Sequence, residues 1–447
     1  MKTKWFGLNK GYFSRVWLIA TLFVMLFATA CEGLPIEIEL PWLNTPVPAE
    51  ETALPGTTDG TPTPVSPEPE PTLTAETGAD KLILWLPPEL SPHEESLAGH
   101  LLQEKLNDFA HENKIEIFVR VKAQTGSGSL TDALTATNLA SPAILPDLIV
   151  LSTSDLQLAA RRQLIYPHAR LDEMMNDIDW YSFGQELSLV DGVVLGIPLV
   201  ADPLSLVYNE ASLLPPSNDW MVIKDNYGYF GFAADDSQAK YLLLLYVAAG
   251  GKVVDAKGRA ILEEEPLVEA LKALKEGLAT LHLSELSIDY QTEDQVWSGF
   301  LNRSLDTAVV PISVILNHQE EVANQPAPAL TEPEISLGTA MAWALGNPYP
   351  ERQELALDLL SELTETEFLA SWSEALGQLP ARPSALGAWS DPNLKPALEK
   401  IALATRLYPT EEIINRLGPA LRNATLLILR DGADPIETAK TTIESIK

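Results

Sequence analysis

The chain holds one cysteine, Cys31, and the residues around it single out its sulfur. Ala28-Thr29-Ala30 stand directly before it, and an apolar run from Val16 to Phe27 precedes them, after Lys2, Lys4, Lys10 and Arg15. A basic start, a short apolar stretch and small residues ahead of a cut describe an export signal. The run falls short of the about 20 apolar residues that a spanning helix needs. Other reactive patterns are missing. The sequence has no G-x-S-x-G and no H-E-x-x-H, and no second cysteine could serve as nucleophile. Its six histidines, His93, His100, His111, His168, His282 and His318, show no metal-ligand spacing, so neither metal nor cofactor is expected. Carboxylates are abundant, and their abundance alone selects no chemistry.

Ala28-Thr29-Ala30-Cys31 resembles the lipobox of bacterial lipoproteins, in which the cysteine takes a diacylglyceryl group and becomes the new N-terminus. The resemblance implies that residues 1–30 are a signal peptide and that Cys31 is the lipidation site. Residues 31–80 then read as a disordered stalk, dominated by Pro, Thr, Glu and Gly, as in Pro67-Glu68-Pro69-Glu70-Pro71. Such a segment buries too little apolar surface to offset the entropy of ordering it. At roughly 3 Å per residue, about 40 extended residues reach up to ~120 Å from a membrane.

Residues 81–447 are long enough for two lobes of ordinary domain size. A formal net charge of −32 argues against nucleic acid as the partner. Strands and helices alternate in the first third. Lys81 to Leu86 reads as a strand, Glu94 to Asn113 as a helix and Ile115 to Val121 as a strand; Leu148 to Leu151 is a third strand, with Ser154 placed to cap the helix after it. This alternation implies a mostly parallel α/β sheet, whose ligand site lies beyond the carboxyl ends of the strands.

Six motifs in order carry a family resemblance. They are Pro146-Asp147-Leu148-Ile149-Val150-Leu151 with Ser154-Asp155-Leu156, Gln163-Leu164-Ile165-Tyr166-Pro167, and Asp191-Gly192 through Pro198-Leu199. Leu206-Val207-Tyr208-Asn209, Gly250-Gly251-Lys252-Val253-Val254-Asp255 and Gly377-Gln378-Leu379-Pro380-Ala381-Arg382 complete the set. Together they resemble family 1 extracellular solute-binding proteins, the maltose-binding-like receptors of ABC importers. One departure is that Pro215-Pro216-Ser217-Asn218-Asp219-Trp220 runs almost directly into Tyr229-Phe230-Gly231, so the first helix of the second lobe is expected to be trimmed.

The resemblance implies a two-lobe periplasmic-binding-protein-like fold of type II. Each lobe is a mixed sheet flanked by helices, and a multi-segment hinge joins them. Lobe 1 would take residues 81–200 and a return segment, 305–338. Lobe 2 would take residues 201–304 and the C-terminal helical part, 339–447. The chain would cross near 198–205, 302–306 and 338–343. The resemblance further implies a lipid-anchored receptor on the outer face of the cytoplasmic membrane, probing for a small solute, above all a carbohydrate, and delivering it to permease subunits as a monomer. Candidate cleft residues sit at strand ends: Trp85, Glu89, Gln124, Thr125, Ser127, Ser152, Thr153 and Asp155 from lobe 1, and Asp202 at the hinge. Tyr229 and Trp343 are the aromatics expected from lobe 2, because a ring covers the apolar face of a sugar while carboxylates and hydroxyls hold its OH groups. Two other readings stay open at this point, a secreted glycosidase and a surface scaffold that kept the fold and lost the ligand.

Overall fold

The computed structural model describes residues 81–447 except 94, 211–212, 214, 223–227 and 319–327. The signal segment, Cys31 and the stalk lie outside the described residues.

The first strand, β1 (Lys81–Leu86), is apolar nearly throughout because both its faces are covered. Helix α1 (Leu97–Asn113) starts at Ser96, whose hydroxyl accepts the Gly99 N–H at 3.0 Å. The alternating strand expected next is β2 (Glu116–Val121), which lies at the sheet edge with its residues exposed or half-buried. Helix α2 (Leu130–Ala140), β3 (Leu148–Ser152) and α3 (Thr153–Arg161) follow. A small hairpin pairs β4 (Leu189–Val190) with β5 (Val193–Val194), and the chain then enters β6 (Ile197–Asn209), 13 residues long.

Beyond β6 come β7 (Phe230–Gly231), α4 (Lys240–Ala248), α5 (Glu264–Ala279), α6 (Glu293–Leu301), β8 (Thr307–Pro311) and β9 (Pro328–Leu330). Then follow β10 (Ser336–Leu345), α7 (Pro350–Leu363), α8 (Thr366–Leu376), β11 (Leu379–Pro380) and α9 (Lys395–Ala404). The last elements are β12 (Thr405–Leu407), α10 (Glu411–Asp431) and α11 (Pro435–Ser445). No described helix is long and apolar enough to cross a membrane.

The strands run in the order β2-β1-β3-β10-β6-β8-β7, with β11 and β9 also on β6 and β12 on β10. β1 is parallel to β2 and β3, whereas β10 is antiparallel to β3 and β6. The sheet is therefore mixed. β6 serves two regions at once. Its first half, Ile197 to Pro203, pairs with β10, and its second half, Leu204 to Asn209, pairs with β8 and β9. The strand is thus a hinge crossing. A bulge interrupts the β6–β10 register between Met341 and Ala342, and Gly338 meets Pro203 so closely that a Cβ there would sit 2.8 Å from the proline Cα.

Strand pairing corrects the expected lobe boundaries. β8, within the segment assigned to lobe 1, pairs with β7 and with the distal half of β6. By pairing, β8 and β9 therefore go with the distal half of β6, on the lobe 2 side. Conversely, β10 lies against β3, and α8 packs on α1, so the chain from about 339 through α9 belongs with lobe 1. Only α10 and α11 of the C-terminal part pack on α5 in lobe 2. The third crossing lies at β12, which pairs with β10, and not near 302–306, where the chain simply joins α6 to β8. The misplacement has a physical source: β8 and β10 are equally apolar, and period alone does not say which sheet a buried strand joins.

Among the described residues between Asn209 and Phe230 there is no helix. Trp220 lies in this stretch. It is buried, its indole N–H donates to the Ile335 carbonyl at 2.6 Å, and its ring meets Tyr241 edge-on at 6.2 Å. In lobe 1, Asp147 is fully buried at the start of β3. It accepts the Ile83 N–H at 2.7 Å and the Arg352 Nε–H at 2.6 Å, which ties α7 to the sheet.

Candidate functional site

The residues after β2 and β3 converge on the second lobe. A cavity of about 180 Å³ opens between them. From lobe 1 it is lined by Gln124, Thr125 and the stretch Ser152-Thr153-Ser154-Asp155. From lobe 2 come Gln238, just ahead of α4, and Glu411 and Ile414 of α10. Thr339, Ala340, Tyr408 and Pro409, on or beside the crossing strands β10 and β12, form the remaining wall. The site lies beyond the carboxyl ends of strands, as open α/β sheets require. A second cavity of about 380 Å³ shares Thr153, Tyr408 and Pro409 with the first and extends past Gln157, Arg161 and Glu186.

Local hydrogen bonds fix the lobe 1 wall. Ser152 caps α3, its hydroxyl accepting the Asp155 N–H at 3.2 Å and donating to the Asp155 carboxylate at 2.7 Å. Thr131 Oγ1–H donates to the other carboxylate oxygen at 3.2 Å. Burial raises the Asp155 carboxyl above its ordinary value; the two hydroxyls counter this, and the charges of Glu411 and Asp132 add to it. Gln124 Nε2–H donates to Glu89, whose carboxyl is likewise raised, chiefly by burial. Ser154, expected to cap its own helix, instead reaches across the cleft: its hydroxyl accepts the Glu411 N–H at 2.8 Å.

Five expected residues thus line the cavity, namely Gln124, Thr125, Ser152, Thr153 and Asp155, and Glu89 touches it through Gln124. Others lie elsewhere. Ser127 is exposed in the loop before α2 and is not part of the lining. Trp85 is 1% exposed, a core residue of β1, with Lys122 Nζ 4.6 Å from its ring centre. Trp343 is fully buried, because β10 is an inner strand and its ring faces α8, stacked on Trp372 at 6.5 Å. Tyr229 is 61% exposed and lines a separate depression with Leu281, Leu283 and Arg430.

Asp202 sits on β6 opposite Thr339, one step behind the cavity wall. Its carboxylate accepts the Ser313 N–H at 2.9 Å and the Ser313 hydroxyl at 2.6 Å. Burial pushes this carboxyl up to about 6, against the pull of the Ser313 bonds and of Lys240.

The aromatic that does line the cleft is Tyr408. It borders both cavities, and its hydroxyl oxygen is buried without a hydrogen-bond partner among the described residues. Burial raises this phenol well above its ordinary value, helped by the charges of Asp236 and Glu293. Sequence reasoning missed Tyr408 together with Gln238, Thr339 and Glu411. One signal was present: Tyr408-Pro409-Thr410-Glu411-Glu412 is an aromatic ahead of a helix start with an N-cap threonine and an acidic first turn.

The sequence profile of bacterial extracellular solute-binding proteins matches residues 105–396. No curated protein matches the chain significantly. Among solved structures, a cyclo/maltodextrin-binding protein complexed with maltotetraose superposes with a TM-score of 0.64 at 16% identity, covering 82% of this chain and 96% of the other. An extracellular solute-binding protein from Staphylococcus aureus in complex with maltose gives the same TM-score, identity and coverage. The maltose-binding periplasmic protein from Listeria monocytogenes gives 0.62 at 14% identity, with 82% and 96% covered. At such identities these likenesses show the fold, while the profile spans more than half the chain. This chain belongs to the bacterial extracellular solute-binding protein family.

Proposed function

We propose that this chain is the extracytoplasmic receptor of an ABC importer, tethered through Cys31, which takes a sugar or short oligosaccharide into the inter-lobe cleft. The observation that carries this reading is the lining of the cavity. Hydroxyls, amides and carboxylates from both lobes surround a space bordered by the Tyr408 ring, the pairing of groups that suits a polyol with one apolar face. The maltotetraose and maltose held by the similar structures support the same class of solute. At about 180 Å³ the cavity is smaller than the roughly 300–1,000 Å³ of ordinary ligand sites. A disaccharide would therefore enter with the lobes apart, and contacts to both lobes would then favour closure. In this reading Asp155 and Glu411 accept hydroxyl protons as hydrogen bonds and do no acid–base chemistry, so the protein binds and does not turn over.

Calorimetric titration with maltose and maltotetraose tests this, with the sugars recovered and checked for cleavage. Binding without cleavage, a smaller radius of gyration on binding, and affinity reduced ~5- to 10-fold by Tyr408→Ala are expected. Cleavage would return the glycosidase reading. Absence of binding to any hydroxylated solute would favour a scaffold.

A further inference from the structure

Charge in the lining of the smaller cavity has one sign, whereas Arg161 lines the adjoining one. Asp155 and Glu411 line the cavity, Glu89 is bound to Gln124 in its wall, and no Lys or Arg is among the described lining residues. Two cations near the hinge and the β1–β2 ends are engaged elsewhere. Lys240 Nζ lies 2.6 Å from a Glu293 oxygen, and Lys122 sits over the Trp85 ring. Among the described residues the Asp155 carboxylate accepts only from the neutral hydroxyls of Ser152 and Thr131, and the Glu411 side chain has no hydrogen-bond partner. Two acidic residues in the lining of one small space, with no cation among its described lining residues, leave a charge that a bound solute can neutralise.

We propose that the cleft selects a cationic hydroxylated solute, an amino sugar or short amino-oligosaccharide, over its neutral counterpart. This rests on the carbohydrate reading above and narrows it. An ammonium between Asp155 and Glu411 replaces neutral hydrogen bonds by charge-assisted ones. Tyr408, an aromatic in the same lining, adds a ring to which a cation is attracted further. An anionic sugar would meet repulsion from the same pair.

The test uses two disaccharides that differ only at C2, the β1,4-linked glucosamine dimer and cellobiose, with spermidine as a cation that is not a sugar. Titration of the mature protein should show the glucosamine dimer binding about tenfold more tightly than cellobiose. The preference should shrink as salt is raised and vanish in Glu411→Gln and in Asp155→Asn, with melting temperatures checked in parallel. Equal or tighter binding of cellobiose overturns the inference and leaves the carbohydrate receptor standing. A preference that survives both substitutions overturns its assignment to this cavity. Spermidine binding more tightly than either disaccharide overturns the inference together with the carbohydrate reading on which it rests. Failure of all three probes to bind overturns the inference.

Discussion

The hydroxyl of Ser154 accepts the backbone N–H of Glu411 at 2.8 Å, so a residue of lobe 1 caps the 21-residue helix α10 of lobe 2. Thr410, the residue in the N-cap position, provides no side-chain bond of its own. The cap therefore exists only while the lobes are together. A helix cap is worth about 1 kcal/mol, so Ser154→Ala should shift the balance toward the open form and weaken solute binding by about fivefold. Small-angle scattering without solute should show a larger radius of gyration than wild type. An identical profile together with identical affinity would mean that the contact does not contribute to closure.

Asp202 makes stability depend on pH. Burial lifts its carboxyl from 3.8 to about 6, so between those values the folded protein holds a proton that the unfolded chain has released. The penalty for the buried charge is absent below the lower value, grows as pH rises and is complete above about 6. Asp202→Asn removes that charge and keeps an oxygen for the Ser313 N–H. The variant should melt higher than wild type at about pH 8 and at nearly the same temperature at about pH 4. A lower melting point at the alkaline end would show that the ionised carboxylate is worth more to Ser313 and Lys240 than its burial costs.

Trp343 is expected to govern folding and not binding. Removing its fully buried ring in Trp343→Ala should cost about 3–5 kcal/mol in urea unfolding, with Trp343→Phe milder. Affinity per folded molecule should be unchanged. A selective loss of affinity in a normally stable variant would return Trp343 to the cleft.

Cys31 is tested by partitioning. Wild-type protein should enter the detergent phase, and Cys31→Ser should remain aqueous or uncleaved, because stable anchoring takes more than one acyl chain. Equal partitioning, with the N-terminus still at Met1, would remove the lipid anchor from the reading.

Local structure was legible wherever a short segment decides it. The strands β1, β2 and β3 and the helix α1 follow from apolar periodicity, and the cleft residues of lobe 1 follow from the rule that loops after parallel strands face the ligand. The lobe assignment of β8 and β10 was not legible, since pairing partners lie far apart in the chain and both strands are apolar. The aromatic in the cleft was misread for a related reason. Trp343 and Trp85 stand near strand ends in sequence, yet each lies on a strand with neighbours on both sides and points into packed helices or other buried side chains. Tyr408 escaped notice because it lies just after β12, only three residues long, and it reaches the cleft only through the pairing of that strand with β10. Ser154 shows the same limit. A serine near a helix start reads as a local cap, and nothing nearby announces a partner at Glu411.

β10 lies between β3 and β6, pairing with both, and neither lobe is made from one continuous stretch of chain. A nascent polypeptide that has emerged only as far as β6 thus has a vacancy at the centre of its sheet, which stays unfilled until a much later segment arrives. Pairings of such long sequence separation form slowly. The strand order thus makes the centre of the sheet its last part to close, and the protein becomes compact only when Ser336–Leu345 has joined it.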